Sequence, residues 1–295
     1  MRTFARRPRV IVNSDAKNEA DDQYALVHAL LSPSLDIRGL IAAHFGNRPG
    51  RSDRSMLDSR AEIDLLIDML DQKVQVENGA PAAIPDVRTP APSPGAELII
   101  EEALREDAEP LYIAFLGPLT DMASALLLEP RIAQRDVTVI WIGGAGYDEP
   151  AEMEAKPEFN LSNDIAAAGL VFASGVKLWQ VPRSTYRLMS VSYAELDLRV
   201  GSCGRLGAYL VEQLVEWNAH NVPTAVEYRS LGDSPAIGLM LNPMCGQFSL
   251  RPAPGFRYDG SYDFGVEGPP IRVYEQIDSR FVLEDCFAKI ALATR

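Results

Sequence analysis

Short β-branched runs alternate with longer stretches of helical period, and this alternation narrows the available folds more than any other feature of the chain. "RVIV" at 9–12 is followed by "DDQYALVHALL" at 21–31 and then "DIRGLIAA" at 36–43. Ile63, Leu66, Ile67 and Leu70 mark one face of a helix expected over residues 52–70. "LYIAFLG" and "VTVIWIGG" read as buried strands on either side of a helix from Thr120 to Leu128, and "VKLWQVP" adds a strand after a helix beginning near Asp164. Repeated βα units of this kind predict an open, mostly parallel, Rossmann-like α/β sheet with helices on both faces, whose ligands bind at the carboxyl ends of the strands. Residues 78–97, "NGAPAAIPDVRTPAPSPGAE", are too rich in Pro, Gly and Ala for a helix or central strand and are expected to form a loop, either a plain surface connection or a flap. From about residue 183 the chain reads as mostly helical, with "GRLGAYLVEQLVEWNAH" the clearest case. No linker or internal repeat divides it, so residues 1–295 are read as one domain.

Composition limits what such a sheet can serve. With 47% hydrophobic residues in 295, the chain can bury a large core. Its net charge of -13, from 41 acidic against 28 basic residues, disfavours nucleic-acid polymers and anionic membranes as partners and leaves a small neutral ligand compatible. Cys203, Cys245 and Cys286 are odd in number and far apart, with neither zinc-type pairing nor a disulfide framework, which points to a reducing cytoplasm. They also lack the cationic or His-rich surroundings of a reactive thiol. The basic start "MRTFARRPRV" has no apolar signal stretch, and no later run is long enough to span a bilayer.

Three strand ends hand over at once to polar residues. The first carries Asp15, Glu19, Asp21 and Asp22; the second is "HFGN", with His44 and Asn47; the third opens a loop ending in "PEFNLSND", with Glu158 and Asn160. Parallel strand ends converge, so Asp15, Asp22, Asn47, Glu158 and Asn160 can meet around one cavity. Crowded carboxylates repel one another unless a cation or donors compensate. Oxygen-only ligands suit calcium or magnesium. Taken alone, the acids also fit a solvated helix N-terminus. An aspartyl-phosphate phosphatase would need a carboxylate where Asn13 stands. A phosphate-binding loop would need a glycine-rich turn opening a helix, whereas "IGGAG" leads into an acidic loop.

The fragments "NSDAKNEADDQYAL", "HFGN", "FLGPLTD", "WIGGAGYDEP", "PEFNLSNDIAAAGLVF" and "GDSPAIGLMLNP", in this order, resemble the inosine-uridine-preferring nucleoside hydrolase family. The closing "IRVYEQIDSRFVLEDCFAKI" resembles the family's last strand and helix. The resemblance implies the nucleoside hydrolase fold, one calcium ion beneath a ribose-sized pocket, hydrolysis of a nucleoside N-glycosidic bond, and a homo-oligomer, dimer or tetramer. Carried over by motif, Asp15 is a metal ligand and general base, Asp22 and Asp233 are metal ligands, and the Leu116 carbonyl is the backbone ligand. Asp21 would bind the ribose 2-hydroxyl, Asn160 the 3-hydroxyl and Glu158 the 5-hydroxyl, with Asn47 orienting water and ribose.

Three departures qualify the match. "AKNEA" between Asp15 and Asp21 is two residues longer than the usual family turn, so Asn18 and Glu19 become ligand-contact candidates. Gly232 stands where relatives carry a His that helps protonate the leaving base, and the family's Gly- and His-rich flap is replaced by the Pro-rich loop. Replacement acids are His44 and Tyr228, with Arg229 nearby; Tyr147, Trp179, Tyr186 and Trp217 are candidates for stacking on a base, although large aromatics usually pack. His28 reads as structural and His220 as a helix-terminus charge. Two rival readings stay open: a hydrolase of a non-nucleoside glycoside, and a calcium-stabilised sugar-binding protein without turnover.

Overall fold

The computed structural model describes residues 4–46, 54–148 and 157–294. Its strands are β1 (Arg9–Ser14), β2 (Asp36–Ala42), β3 (Val76–Asn78), β4 (Leu111–Phe115), β5 (Val137–Ile142), β6 (Lys177–Val181), β7 (Ser190–Ser192), β8 (Tyr228–Ser230), β9 (Gly246–Pro252), β10 (Gly255–Phe256), β11 (Tyr262–Asp263) and β12 (Pro270–Ile277). Eight of them form one sheet in the order β3-β2-β1-β4-β5-β6-β12-β9; β7 with β8 and β10 with β11 form small separate pairs. Every neighbour pair in the large sheet is parallel except β12 with β9.

Alternation along the central strands builds two cores. Val10 and Val12 of β1, Ala114 of β4, and Ile140 and Ile142 of β5 face one side, while Ile11, Ile113, Phe115, Val139 and Trp141 face the other. Successive strand side chains point to opposite faces, so a strand covered on both sides must be apolar throughout, as "VTVIWI" is. Helices α1 (Asp22–Leu30) and α2 (Ser55–Met69) cover the first side, and α3 (Pro94–Leu104) and α4 (Thr120–Leu128) the second. After β5 come α5 (Phe159–Asn163), α6 (Ile165–Ala173) on the second side and α7 (Arg183–Tyr186). Then α8 (Gly204–Asn221), α9 (Ser234–Leu241) and α10 (Ser279–Ala293) return to the first. The direction of winding reverses between β1 and β4, and their carboxyl ends open the crevice in which such sheets bind ligands.

Two expectations need correction. The Pro-rich stretch is not wholly loop: Asn78 closes β3, and α3 begins inside it at Pro94, whose missing N–H is harmless in a first turn. Ser93 caps that helix by accepting from the Ala96 amide at 3.0 Å. The second half is less helical than read, because β9 pairs antiparallel with β12 at the sheet edge. Alternating exposure along β9, with Phe248 and Leu250 in solvent, leaves no continuous apolar run to betray it. Among the described residues, no helix is long and apolar enough to cross a membrane.

Candidate active site

At the crevice, Asp15 follows β1, Leu116 follows β4, and Asp22 opens α1. They line a cavity enclosing about 350 Å³, open mouth included, together with Asn18, Glu19, Asp21, Glu158, Asn160 and Asp233. All nine of these predicted site residues are thus brought together. Oxygens of Asp21, Asp22 and Asp233 lie within 4.8 Å of one another, while Asp15 stands outside that trio. Burial is the first cause pushing each of these carboxyls above the usual range. Asp22 adds to it for Asp15 and for Asp233, which both rise well above it, and Asp21 adds to it for Asp22, which reaches about 8. For Asp21, Arg229 and the amides of Gly232 and Asp233 oppose the rise. Asp15 Oδ2 is buried with no hydrogen-bond partner, the one orphaned oxygen of this cluster. Uncompensated carboxylates at this density fit a hard divalent cation.

The lengthened turn is anchored rather than loose. Asn18 N–H donates to the Asp15 carbonyl at 2.8 Å, closing the turn, and Gln23 Nε2 donates to the Ala16 carbonyl at 2.8 Å. Trp217 Nε1 donates to the Asn18 carbonyl at 3.0 Å and Gln213 Nε2 to that of Ala20 at 3.2 Å, tying the turn to α8. Arg229 pairs with Glu19 while its guanidinium lies 4.1 Å from the centre of the Trp217 ring. With the turn tied down by these contacts, Asn18 and Glu19 line the cavity.

On the opposite wall, Asn160 Nδ2 donates to the carbonyls of Leu116 at 2.6 Å and Ile142 at 2.9 Å, leaving Oδ1 as its remaining acceptor. Glu158 caps α5 and is saturated with donors. Its Oε1 accepts from Asn160 N at 3.1 Å and from the Tyr186 hydroxyl at 2.9 Å; its Oε2 accepts from Gly144 N at 2.7 Å and Leu161 N at 2.9 Å.

His44 is not delivered to the cavity. Gly46 N–H donates to its Nδ1 at 3.2 Å, so Nε2 carries the proton and donates to Thr120 Oγ1 at 2.8 Å. Thr120 in turn donates to Asp164 Oδ2 at 2.7 Å. Burial pushes this imidazole down to about 4, so it stays neutral at ordinary pH. Asn47 lies outside the described residues. Tyr228 and Arg229 line an adjoining groove rather than the cavity. Tyr147 packs with Tyr262 and Phe264, and Trp179 with Tyr112 and Tyr274; of the four aromatic candidates only Tyr186 lines the cavity. His28 bonds Asp285 at 2.8 Å beneath α10, and His220 binds the Glu216 carbonyl in the last turn of α8. The Pro-rich loop is held away from the cavity by two buried acids: Asp121 accepts from Ala80 N and Ser93 Oγ, and Asp164 from Ile84 N. The three cysteines are buried and unpaired.

Sequence reading missed three supports. Ser14 Oγ donates to Asp22 Oδ1 at 2.6 Å; its place directly before Asp15 was the available signal. Gly117 is required because a Cβ there would sit 2.7 Å from Asp15 Oδ1. Phe159, between Glu158 and Asn160, lines the cavity with Ile142.

Comparison with known proteins identifies the family and the fold. Among curated proteins, the pyrimidine-specific ribonucleoside hydrolase RihA of Escherichia fergusonii is 30% identical over 174 residues, 53% of this chain and 54% of that one, so the chain spans about half the length of this relative. The probable uridine nucleosidase 2 of Arabidopsis thaliana is 26% identical over 70% of this chain and 69% of its own. The purine-preferring ribonucleoside hydrolase from Gardnerella vaginalis superposes with a TM-score of 0.78 over 97% of this chain and 99% of that one at 18% identity, which speaks to the fold. A plant nucleoside hydrolase does so at 0.76, with the same coverages and identity. The family model for inosine-uridine preferring nucleoside hydrolases matches residues 10–267, and the chain belongs to that family.

Proposed function

We propose that this protein hydrolyses the N-glycosidic bond of a ribonucleoside or a related riboside, giving free sugar and base, with calcium at the acidic cluster. The observation that carries the reading is the buried, partnerless Asp15 Oδ2 in a cavity it shares with three mutually close carboxylates. Asp15, Asp22, Asp233 and the Leu116 carbonyl are the residues that would hold the ion. When bound, calcium supplies positive charge that lowers the pKa of water and accepts sugar hydroxyl oxygens.

The chain's own groups do the rest. Asp15, with its open oxygen, accepts the proton of the attacking water as that water approaches the anomeric carbon. Asp21 accepts from the 2-hydroxyl, and Asn160 Oδ1 from the 3-hydroxyl. Carboxylates close to the sugar favour the positive charge that develops on its ring in the transition state. Among the described residues no histidine lines the cavity, so no imidazole is placed to protonate the departing group. Leaving groups that depart as stable anions should therefore react best. The three buried thiols suit a reducing cytoplasm.

An adjoining groove of about 1110 Å³, open solvent included, which shares Glu19, Asp21, Tyr186 and Gly232 with the cavity, favours a second reading: an aglycone larger than a nucleobase. The test is release of reducing sugar from inosine, uridine and p-nitrophenyl riboside, with calcium and with a chelator. Calcium-dependent cleavage, fastest for the p-nitrophenyl compound, is expected. Ribose binding without release of sugar from any of them would instead indicate a binding protein.

A further inference from the structure

Glu158 is the carboxylate that would read the sugar's 5-hydroxyl, yet none of its capacity remains. An ionised carboxylate offers about four acceptor positions, and here three backbone amides and one phenol occupy them. The amides cannot leave without unwinding the cap of α5. The phenol of Tyr186 is the one donor supplied by a side chain.

Tyr186 is fixed from several sides. Its amide donates to the Pro182 carbonyl at 3.0 Å, the adjacent Thr185 Oγ1 donates to the Tyr274 carbonyl at 2.8 Å, and Ser230 Oγ donates to the carbonyl of Tyr186 itself at 3.0 Å. Gly232 gives the ring its room, since a Cβ there would already stand 3.0 Å from Tyr186 Cδ2 and 3.2 Å from Asp21 Oδ2. Any larger side chain at 232 would compete with the ring for this space. The small residue at 232 and the phenol on Glu158 thus share one space. Burial and the Glu158 charge push the phenol well above its ordinary range, so it remains a donor.

We propose that Tyr186 takes the place of the sugar's primary hydroxyl on Glu158, so that the site accepts 5-deoxyribosyl groups nearly as well as ribosyl groups. This rests on the riboside reading above. A site built to hydrogen-bond a substrate hydroxyl rejects the analogue lacking it because its own polar groups are left unpaired. Here those groups are paired within the protein, and the penalty is absent.

The experiment compares p-nitrophenyl riboside with its 5-deoxy analogue in the calcium-loaded protein, and in parallel the melting-temperature shifts given by free ribose and 5-deoxyribose. In the unmodified protein kcat/KM for the two ribosides should agree within about tenfold. Tyr186→Phe opens one position on Glu158 for the 5-hydroxyl, and preference for the riboside should rise by roughly ten- to a hundredfold, the range for a hydrogen bond to a charged group. A hundredfold preference in the unmodified protein overturns the proposal even if the variant fails to fold, and so does an unchanged ratio in a folded variant. Equal stabilisation by both sugars without turnover would refute the hydrolase reading and leave this one standing. Strong discrimination with turnover would do the reverse, and binding of neither sugar without turnover would refute both.

Discussion

Replacing Asp233 by Asn should stabilise the calcium-free protein at pH 8 while abolishing its stabilisation by calcium. The trio Asp21, Asp22 and Asp233 has oxygens within 4.8 Å of one another. At an effective dielectric constant of about 20, two charges that far apart repel by about 3 kcal/mol. Asparagine keeps the shape of Asp233 and can donate to Asp22, so the substitution removes the charge and little else. The sign follows from the raised carboxyls. Asp22 titrates near 3.8 when unfolded and at about 8 when folded, so between those values the native state holds a proton that the unfolded state has lost. Stability of the calcium-free protein is therefore greatest at low pH in this window and falls as pH rises towards 8. For Asp22 alone the span amounts to on the order of 5 kcal/mol. Burial and its acidic neighbours hold the Asp233 carboxyl well above the usual range, so at pH 8 the cluster either bears this repulsion or keeps a proton at a comparable or greater cost; removing about 3 kcal/mol should raise the melting temperature of the chelated protein at pH 8 by about 5 °C for a chain of this size. The unmodified protein should gain about 4 kcal/mol from calcium at a thousand times its dissociation constant, and the variant almost nothing. Scanning calorimetry from pH 5 to 8, at one scan rate, with chelator or calcium, measures both effects. A variant that melts no higher than the parent in chelator at pH 8, or that keeps the full calcium shift, would refute the electrostatic account.

Gly117→Ala brings a Cβ to 2.7 Å from Asp15 Oδ1, so Asp15 must move; kcat should fall at least tenfold, and an unaltered kcat would mean that the Asp15 position is not critical. Asp121→Ala removes the acceptor for Asn13 Nδ2, Ala80 N and Ser93 Oγ, and leaving these buried donors unpaired should cost about 3–5 kcal/mol in denaturant unfolding with ribose affinity little changed. A 2-deoxyriboside leaves Asp21 without its sugar partner and should lose at least a hundredfold in kcat/KM; equal rates for the two sugars would remove Asp21 from that role.

Much of this was legible in sequence because it is local. A strand covered on both faces must be apolar throughout, so β1, β4 and β5 announce themselves, and a polar residue directly after such a strand has to lie at its carboxyl end. Asp15 was placed that way, whereas Leu116 came from its place ahead of "GPLTD" in the family resemblance. Asp22, Glu158, Asn160 and Asp233 sit in fragments whose order and spacing match the family, and they too line the cavity. The helix from Thr120 to Leu128 was visible from its period alone. Edge strand β9 was not, since half of it faces solvent, and α3 was hidden by prolines that a first helical turn tolerates.

What sequence could not decide is how side chains from distant segments share space and lone pairs. His44 follows a strand end, as a catalytic residue would, yet its ring is consumed by Thr120 and Gly46, which only packing reveals. Gly232 reads as a missing acid in the sequence; in the fold it is the clearance for a phenol 46 positions earlier in the chain, at Tyr186, that occupies Glu158. Periodicity and motif spacing fix which residues reach the strand ends, because those depend on backbone repeat. Which acceptor keeps an open position, and for what ligand, depends on through-space contacts at hydrogen-bond range, and these exist only once the tertiary structure has formed.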